Sequence, residues 1–535
     1  MATNKHDRIK SLRDALSEGL YEKDEAVRLA LLTAIAGESI FFLGAPGCAK
    51  SMIARRVVQA FKADGNKGLK YFETLLNQFS TPEEVFGNMS LKALNGELED
   101  ENGEKEEKYL RLTKNMLPEA DIAFLDEIWK ASPAILNTLL TIINERKFHN
   151  GGKVEDVPLK ALFAASNELP AKDRGLEALY DRFILRLCVG YIQNEDNFFD
   201  MIDGESASEF VLSDNVKKLQ ITNDELQDWK TQIDKIILSE EAKSVITAIR
   251  KELSARNERL VEDNKNAKTD EWQQELFEVG DRRWKKITHI LKTSAFLNDR
   301  SEVDLMDCQL IEYCIWSTEN QQKQAHEIVE DCIKQNGLDC DTAIDEINEQ
   351  IEEFNKYITE NFYNSDPEDG KPVQKEIANY TSYKIKFDNK LFWINENGLY
   401  DFDNLRRIEY ISDFSFDQDD LEITWIDGNG YNHSTYAYHY VKEPLKDSSV
   451  FGKKAILEAA QRTADSEKYM PIKIYIDSEL KKLSDFAVEK SAPYKANLFA
   501  DQHYCNVIMN TITEAKEALQ DAQVELDKKR ARYHL

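Results

Sequence analysis

What the chain lacks narrows it quickly. No apolar run reaches bilayer-spanning length; the best stretch, Leu29 to Leu43, is broken by Gly37-Glu38-Ser39. The seven cysteines are scattered, with no C-x-x-C pair and no zinc-ligand spacing, which argues against a disulfide framework and fits a reducing compartment. Positive charge is short: 69 Lys and Arg face 98 Asp and Glu, for a net charge of −29. Phosphate backbones and anionic lipid reward the opposite sign, so neither nucleic acid nor a membrane surface is an expected partner. The opening "MATNKHDRIKSL" has no apolar core of a signal peptide. The expected location is cytoplasmic, without membrane insertion.

What is present is a folded chain of 535 residues, 42% hydrophobic and 10% aromatic, long enough for several domains. "SIFFLG" (39–44), "YFETLL" (71–76), "IAFLDE" (122–127), "LKALFAASN" (159–167) and "LRLCV" (185–189) are short apolar runs, several of them separated by helical periodicity. That alternation predicts an α/β core: a parallel sheet with helices on both faces. Two hairpins are expected to interrupt it, one at 91–113 with an acidic tip at 96–108, the other at "KFHNGGKVEDV" with Asn150-Gly151 as its turn. From about 191 to 305 the pattern is helical, and "IDEINEQIEEFNKYITENF" continues it. Beyond "YNSDPEDGKP" comes an alternating, aromatic β segment, then helix again from about 476. Its aromatics, including Trp393, Trp425 and the tyrosines from Tyr431 to Tyr440, read as core more than interface.

"GAPGCAKS" (44–51) follows the first apolar strand and opens a helix, the context a phosphate-binding loop requires. Gly44 and Gly47 allow the turn. Lys50 supplies a cation for the β and γ phosphates, and Ser51 a hydroxyl for Mg²⁺. Ala49 stands where the pattern has its last glycine, and is expected inside a helix already begun. Asp126-Glu127 close a buried strand on the side where open parallel sheets bind ligands. Asp126 would hold the Mg²⁺ shell and Glu127 would polarise the attacking water. Asn167 closes another strand and could orient that water. Arg182 precedes a strand at the domain surface. "NKHD" at Asn4 to Asp7 spells a guanine-reading pattern, but it precedes the phosphate loop and reads as coincidence.

The order "GAPGCAKS", "FLDEI", "AASNELP", "LYDRF" resembles the MoxR family of AAA+ ATPases, and within it the RavA subfamily (regulatory ATPase variant A), over residues 1 to about 305. The resemblance implies an AAA+ core at 1–190, an all-α lid at 191–305, a discontinuous helical domain at 306–365 and 476–535, and a β-rich partner-binding module at 366–475. It makes Ala49 a family trait. Gly44, Ala45, Pro46, Gly47, Cys48, Ala49, Lys50 and Ser51 would wrap the phosphates of ATP, with Mg²⁺ on Ser51 and Asp126. Asn167 becomes sensor 1 and Arg182 a finger acting on a neighbouring subunit. Sensor 2 becomes Arg282, with Arg283 as the alternative. Gly19, Leu20 and Tyr21 become base contacts, while Trp284 reads as core. The implied function is ATP hydrolysis in a hexameric ring that remodels a partner protein, either one carrying a von Willebrand factor A domain or a lysine decarboxylase. The other reading is a nucleotide-gated scaffold with little hydrolysis.

Overall fold

The computed structural model describes residues 4–62, 69–95, 109–171, 175–203, 210–266, 274–362, 374–387, 390–409, 412–417, 422–437 and 454–534. They form two compact units, one of 1–340 with 485–514, the other of 341–484 with 515–535.

The first unit is organised by a five-stranded parallel sheet in the order β2-β3-β6-β1-β7. Its strands are β1 (Ser39–Leu43), β2 (Tyr71–Leu75), β3 (Ile122–Asp126), β6 (Ala161–Ser166) and β7 (Leu185–Cys188). Each coincides with one of the apolar runs. Every residue of β1 and β6 is buried, as expected of central strands covered on both faces. The hairpin of β4 (Lys147–Asn150) and β5 (Lys153–Asp156) forms with Asn150 opposite Lys153, so its turn residues are Gly151-Gly152, not Asn150-Gly151. Their φ angles of 58° and 86° suit a tight turn that glycine enters without a Cβ penalty. Of the other expected hairpin, the acidic stretch 96–108 lies outside the described residues. At its base Met89 and Arg111 form an antiparallel bridge, and Leu91–Leu94 is a helical turn.

Register fixes what the sheet presents. Leu43 pairs with Ser166 and Cys188, and Asp126 with Ala165, so the strands end level with one another. At the other edge the Ile184 N–H donates to the Ser39 carbonyl at 3.0 Å.

The lid is built from the helices Asn223–Ile233, Glu240–Asn266 and Asp281–Leu297, with a two-residue parallel pairing of Ile237–Leu238 and Glu302–Val303 added to them. Thr222 and Glu225 form a capping box at the first of these helices. Glu225 also receives the Arg8 guanidinium at both oxygens, which fastens the helix Lys5–Ser17 to the lid. Lys5, of the "NKHD" stretch, is spent on Asp299 at 3.1 Å. Two expected boundaries change here. Residues 306–340 pack in the first unit, not in a separate helical domain, and so does the returning stretch 485–514. The returning backbone is held by side chains: Arg13 donates to the Leu498 carbonyl at 2.8 Å, and Asn298 accepts from the Leu498 N–H at 2.9 Å.

The second unit carries a five-stranded antiparallel meander, Gln374–Ile377 to Arg407–Glu409, and a three-stranded sheet, Ser412–Phe416 to Asn432–Tyr436. Ile385, Ile394, Leu399, Ile423 and Trp425 form their shared core, and Trp393 packs with Ile377 and Tyr400. The two tryptophans are therefore core, whereas Tyr431 and Tyr436 are exposed. Among the described residues the last strand is Asn432–Tyr436, and helix is present from Lys454, well before 476. "PIKIYI" alternates like a strand, yet Ile472 and Ile476 are buried one helical turn apart. Among the described residues no helix is long and apolar enough to cross a membrane.

The Arg8 hydrogen bonds hold the Glu225 carboxyl down at about 2. A depressed carboxylate contributes stability above its unfolded value of about 4.3, and that contribution is lost as pH falls towards 2. Arg8→Ala should therefore unfold more readily than the parent at neutral pH, with the difference shrinking between about pH 4.5 and 2. Denaturant melts across that range would show it.

Candidate nucleotide site

β1 delivers the chain into the loop 44–49, and the helix Lys50–Val58 leaves it. Gly44 has no room for a side chain: a Cβ there would sit 2.3 Å from the Val189 carbonyl oxygen. Ala49 differs from the sequence expectation. It is not inside the helix but caps it from the left-handed region, φ 65° and ψ 18°. The position thus keeps the backbone shape for which a glycine is normally required, and alanine bears a strain of about 1 kcal/mol. Lys50 is buried, and its Nζ donates to the Gly44 and Ala45 carbonyls at 2.5 and 3.0 Å. The ammonium is held over the concave side of the loop.

Asp126 and Glu127 stand one strand away from β6. Asp126 Oδ1 accepts from the Glu127 N–H at 3.0 Å, and Glu127 takes a left-handed φ of 52° that turns the chain sharply at the strand end. Glu127 Oε2 is 3.1 Å from Lys130 Nζ and accepts from Ser166 Oγ at 3.4 Å. Burial raises the Asp126 carboxyl above its ordinary value. The Glu127 N–H and Lys50 oppose the shift, while the carboxylates of Glu127 and Glu73 add to it. Hard oxygen donors gathered beside one lysine, with an aspartate disfavoured as an anion until a cation arrives, fit Mg²⁺. Asn167, one residue past β6, is exposed at the same edge.

The expected base contacts also belong to this edge. Arg56, buried in the helix after the loop, donates to the Glu18 carbonyl at 2.7 Å and so ties the 18–21 turn to the loop helix. Leu20 is buried there and Gly19 is left-handed, with φ 74°. Sequence reasoning missed Tyr191, whose hydroxyl donates to the Pro46 carbonyl at 3.2 Å. Glu22 accepts from the N–H groups of Gln193 and Asn194, closing the 190–194 stretch onto the same turn. Trp284 is half-buried in the lid.

The arginines lie elsewhere. Arg182 Nε donates to Asn144 Oδ1 at 2.5 Å, and the Arg282 guanidinium donates to that same oxygen at 2.9 Å. Arg146, two residues after Asn144, donates to the Gly37 carbonyl at 2.8 Å, just before β1 begins. Arg182 and Arg282 therefore share the edge where the strands start. The length of β1, roughly 13 Å over its four residue steps, separates that edge from the loop. Arg283 is a different kind of residue: buried, with its guanidinium donating to the carbonyls of Cys314, Asp181, Phe183 and Ile184 at 2.7–3.1 Å. It joins the lid to the approach of β7 and has nothing left for a ligand. Asn144, which unites the other two arginines, carried no signal in sequence.

The chain that builds this strand, this loop, a helix opening on Lys50-Ser51, the acidic pair and the helical lid matches two family models. One is the MoxR domain of the MoxR-vWA-beta-propeller ternary systems, over residues 7–231; the other is an AAA lid domain, over 241–329. An uncharacterized protein of Methanocaldococcus jannaschii is 34% identical over 309 residues, 58% of this chain and 70% of that protein. A second from the same organism is 33% identical over 314 residues, 58% of this chain and 71% of its own length.

The chain belongs to the MoxR family of AAA+ ATPases.

A solved Cytophaga hutchinsonii structure superposes with a TM-score of 0.45 at 16% identity, covering 62% of this chain and 94% of that one, a likeness too loose to build on. For a MoxR protein the α/β core and helical lid are as the sequence led one to expect, and the family implies nucleotide binding.

Three stability outcomes follow from the geometry. Ala49→Gly should relieve the left-handed alanine and raise unfolding free energy by about 0.5–1 kcal/mol in denaturant titrations. Arg283→Ala should cost at least about 3 kcal/mol, because it strips donors from buried carbonyls. Arg282→Ala should stay within about 0.5 kcal/mol.

Proposed function

We propose that this MoxR protein hydrolyses ATP with Mg²⁺ in a hexameric ring and uses the cycle to remodel a partner protein held through its β module. The observation that carries this reading is the division of labour across the sheet: Lys50, Asp126 and Glu127 at one edge, Arg182 and Arg282 at the other. A chain arranged in that way cannot bring its own arginines to its own γ-phosphate. A ring in which one subunit's arginine edge meets the next subunit's loop supplies them.

In this reading Lys50 leaves the loop carbonyls for the β and γ phosphates, and residues 44–51 wrap them with backbone N–H groups. Ser51 and Asp126 hold Mg²⁺, which supplies charge neutralisation across the phosphates when bound. Glu127, positioned by Ser166 and Lys130, accepts a proton from the attacking water, and Asn167 orients that water. Arg182 neutralises charge developing on the neighbour's γ-phosphate, an effect worth about 10³–10⁵ in rate for such fingers. Asn144 keeps Arg182 and Arg282 together so that they arrive as a pair. Gly19, Leu20, Tyr21 and Tyr191 surround the base.

The matched domain is one described with vWA and β-propeller components, which favours a vWA-domain protein over a lysine decarboxylase. Tyr431 and Tyr436 give the β module exposed aromatic contact surface. The succession of helices, β module and helices is also the layout that the RavA resemblance implies.

Glu127→Gln should bind ATP and lose turnover, while Lys50→Ala should lose both, read by nucleotide binding and phosphate release. Mixing two inactive variants tests the shared site. Glu127→Gln subunits keep Arg182, and Arg182→Ala subunits keep Glu127, so random mixing should restore activity at roughly a quarter of the interfaces. No recovery from subunits shown to co-assemble would sink the trans assignment, and an inactive parent would leave the scaffold reading in its place.

A further inference from the structure

A second cluster, which the nucleotide chemistry does not use, lies where the helix Glu319–Asn336 meets the first turn of the helix Gln502–Ala531. His326 and Glu330 are one turn apart on the first helix, and His503 is the second residue of the other. One ligand atom from each of the three lies within 4.8 Å of the others. His503 Nε2 is 2.9 Å and His326 Nε2 is 3.5 Å from Glu330 Oε2. A tetrahedral ion with bonds of about 2.0–2.1 Å sets its ligands about 3.3–3.5 Å apart, so these two edges are already near that spacing. His326 and His503 are both exposed, free enough to close the third.

The surroundings are those of a prepared ligand. His326 Nδ1 is 2.7 Å from Glu312 Oε2, which also accepts from the Tyr504 hydroxyl at 2.7 Å. Glu312 is buried, and its other oxygen accepts from Gln309 Nε2 at 2.5 Å. A carboxylate can only accept, so His326 Nδ1 carries a proton towards Glu312; the Nε2 atoms of His326 and His503 both face Glu330, and a proton on either must leave when an ion binds. This is the outer-shell device that orients metal-bound histidines. Lys334 holds Glu330 Oε1 at 2.8 Å and leaves Oε2 to the cluster. A cleft lined by Tyr313, Lys323, His326, His503 and Tyr504 adjoins it and gives water access to a fourth position.

We propose that His326 Nε2, Glu330 Oε2 and His503 Nε2 form a zinc site that clamps the returning C-terminal segment onto the first unit. Two imidazoles and one carboxylate are a zinc donor set, poorly suited to Mg²⁺, so this ion is distinct from the one serving nucleotide. The clamp joins residues 173 positions apart in the chain, where one ion removes much chain freedom. Its ligands come from histidine and glutamate on separate helices, so cysteine spacing could not have revealed it.

The test is calorimetric titration of the chelator-stripped full chain with zinc chloride. One equivalent should bind, unaffected by millimolar Mg²⁺, and Co²⁺ should give the visible absorption of a tetrahedral site. His503→Ala and Glu330→Gln should each weaken binding at least about 10-fold, and Glu312→Gln about 10–100-fold without removing a ligand. His149→Ala, on the β4–β5 hairpin, should change nothing. Melting in chelator checks that each variant is folded, and Glu330→Gln, nearly isosteric, stands in if an alanine variant is not. A folded Glu330→Gln or His503→Ala protein that binds zinc like the parent would overturn the site, as would a parent that binds no more than the His326→Ala/His503→Ala double variant.

Discussion

The parallel direction of five hydrogen-bonded strands governs the chemistry of this MoxR protein. Because β1, β3 and β6 run the same way in level register, the loop after β1, the acidic pair at the end of β3 and Ser166-Asn167 at the end of β6 emerge along one edge. Because β7 runs the same way too, Arg182 just before it must lie at the opposite edge. Antiparallel pairing of any of these strands would scatter the set. The continuous burial of β1 and β6 is what excludes that alternative, since both faces must be covered by crossover helices.

Two arginines adjacent in sequence show how little a local motif decides. Arg282 and Arg283 stand in the first turn of the same lid helix, the first as the expected sensor 2 and the second as its alternative. The helix turns Arg283 inward onto four backbone carbonyls and leaves Arg282 outside against Asn144. A buried guanidinium fully engaged with carbonyls holds structure together; an exposed one sharing a single amide oxygen with Arg182 remains free to move. Ala49 teaches the complementary lesson. The missing glycine does not change the loop's backbone, because the strand before it and the helix after it over-determine the left-handed cap.

Elements with a strong local signal were legible in advance. The five core strands, the presence of the β4–β5 hairpin though not its exact turn residues, and the buried tryptophans of the β module all follow from short-range pattern and composition. Boundaries set by long-range packing were not. The chain returns at 485–514 to complete the first unit through backbone contacts such as Arg13 to Leu498, which no periodicity encodes. The stretch before 476, expected in the β module, is helical from Lys454 on; its "PIKIYI" alternates, but alternation over six residues fits a strand and a helix edge equally well, and only the neighbours choose.

The sequence by itself determined the chemistry available: a lysine and serine after a glycine turn, a paired carboxylate after an apolar strand, and a large excess of acidic charge. It could do so because each depends on residues adjacent in the chain. Tertiary structure decided which side chains act together. Asn144 with two arginines, Ser166 on Glu127, Tyr191 on the loop 44–49, and His326 with His503 are all meetings of distant segments. Side-chain type limits what such groups can do, but packing alone sets the distance at which they do it.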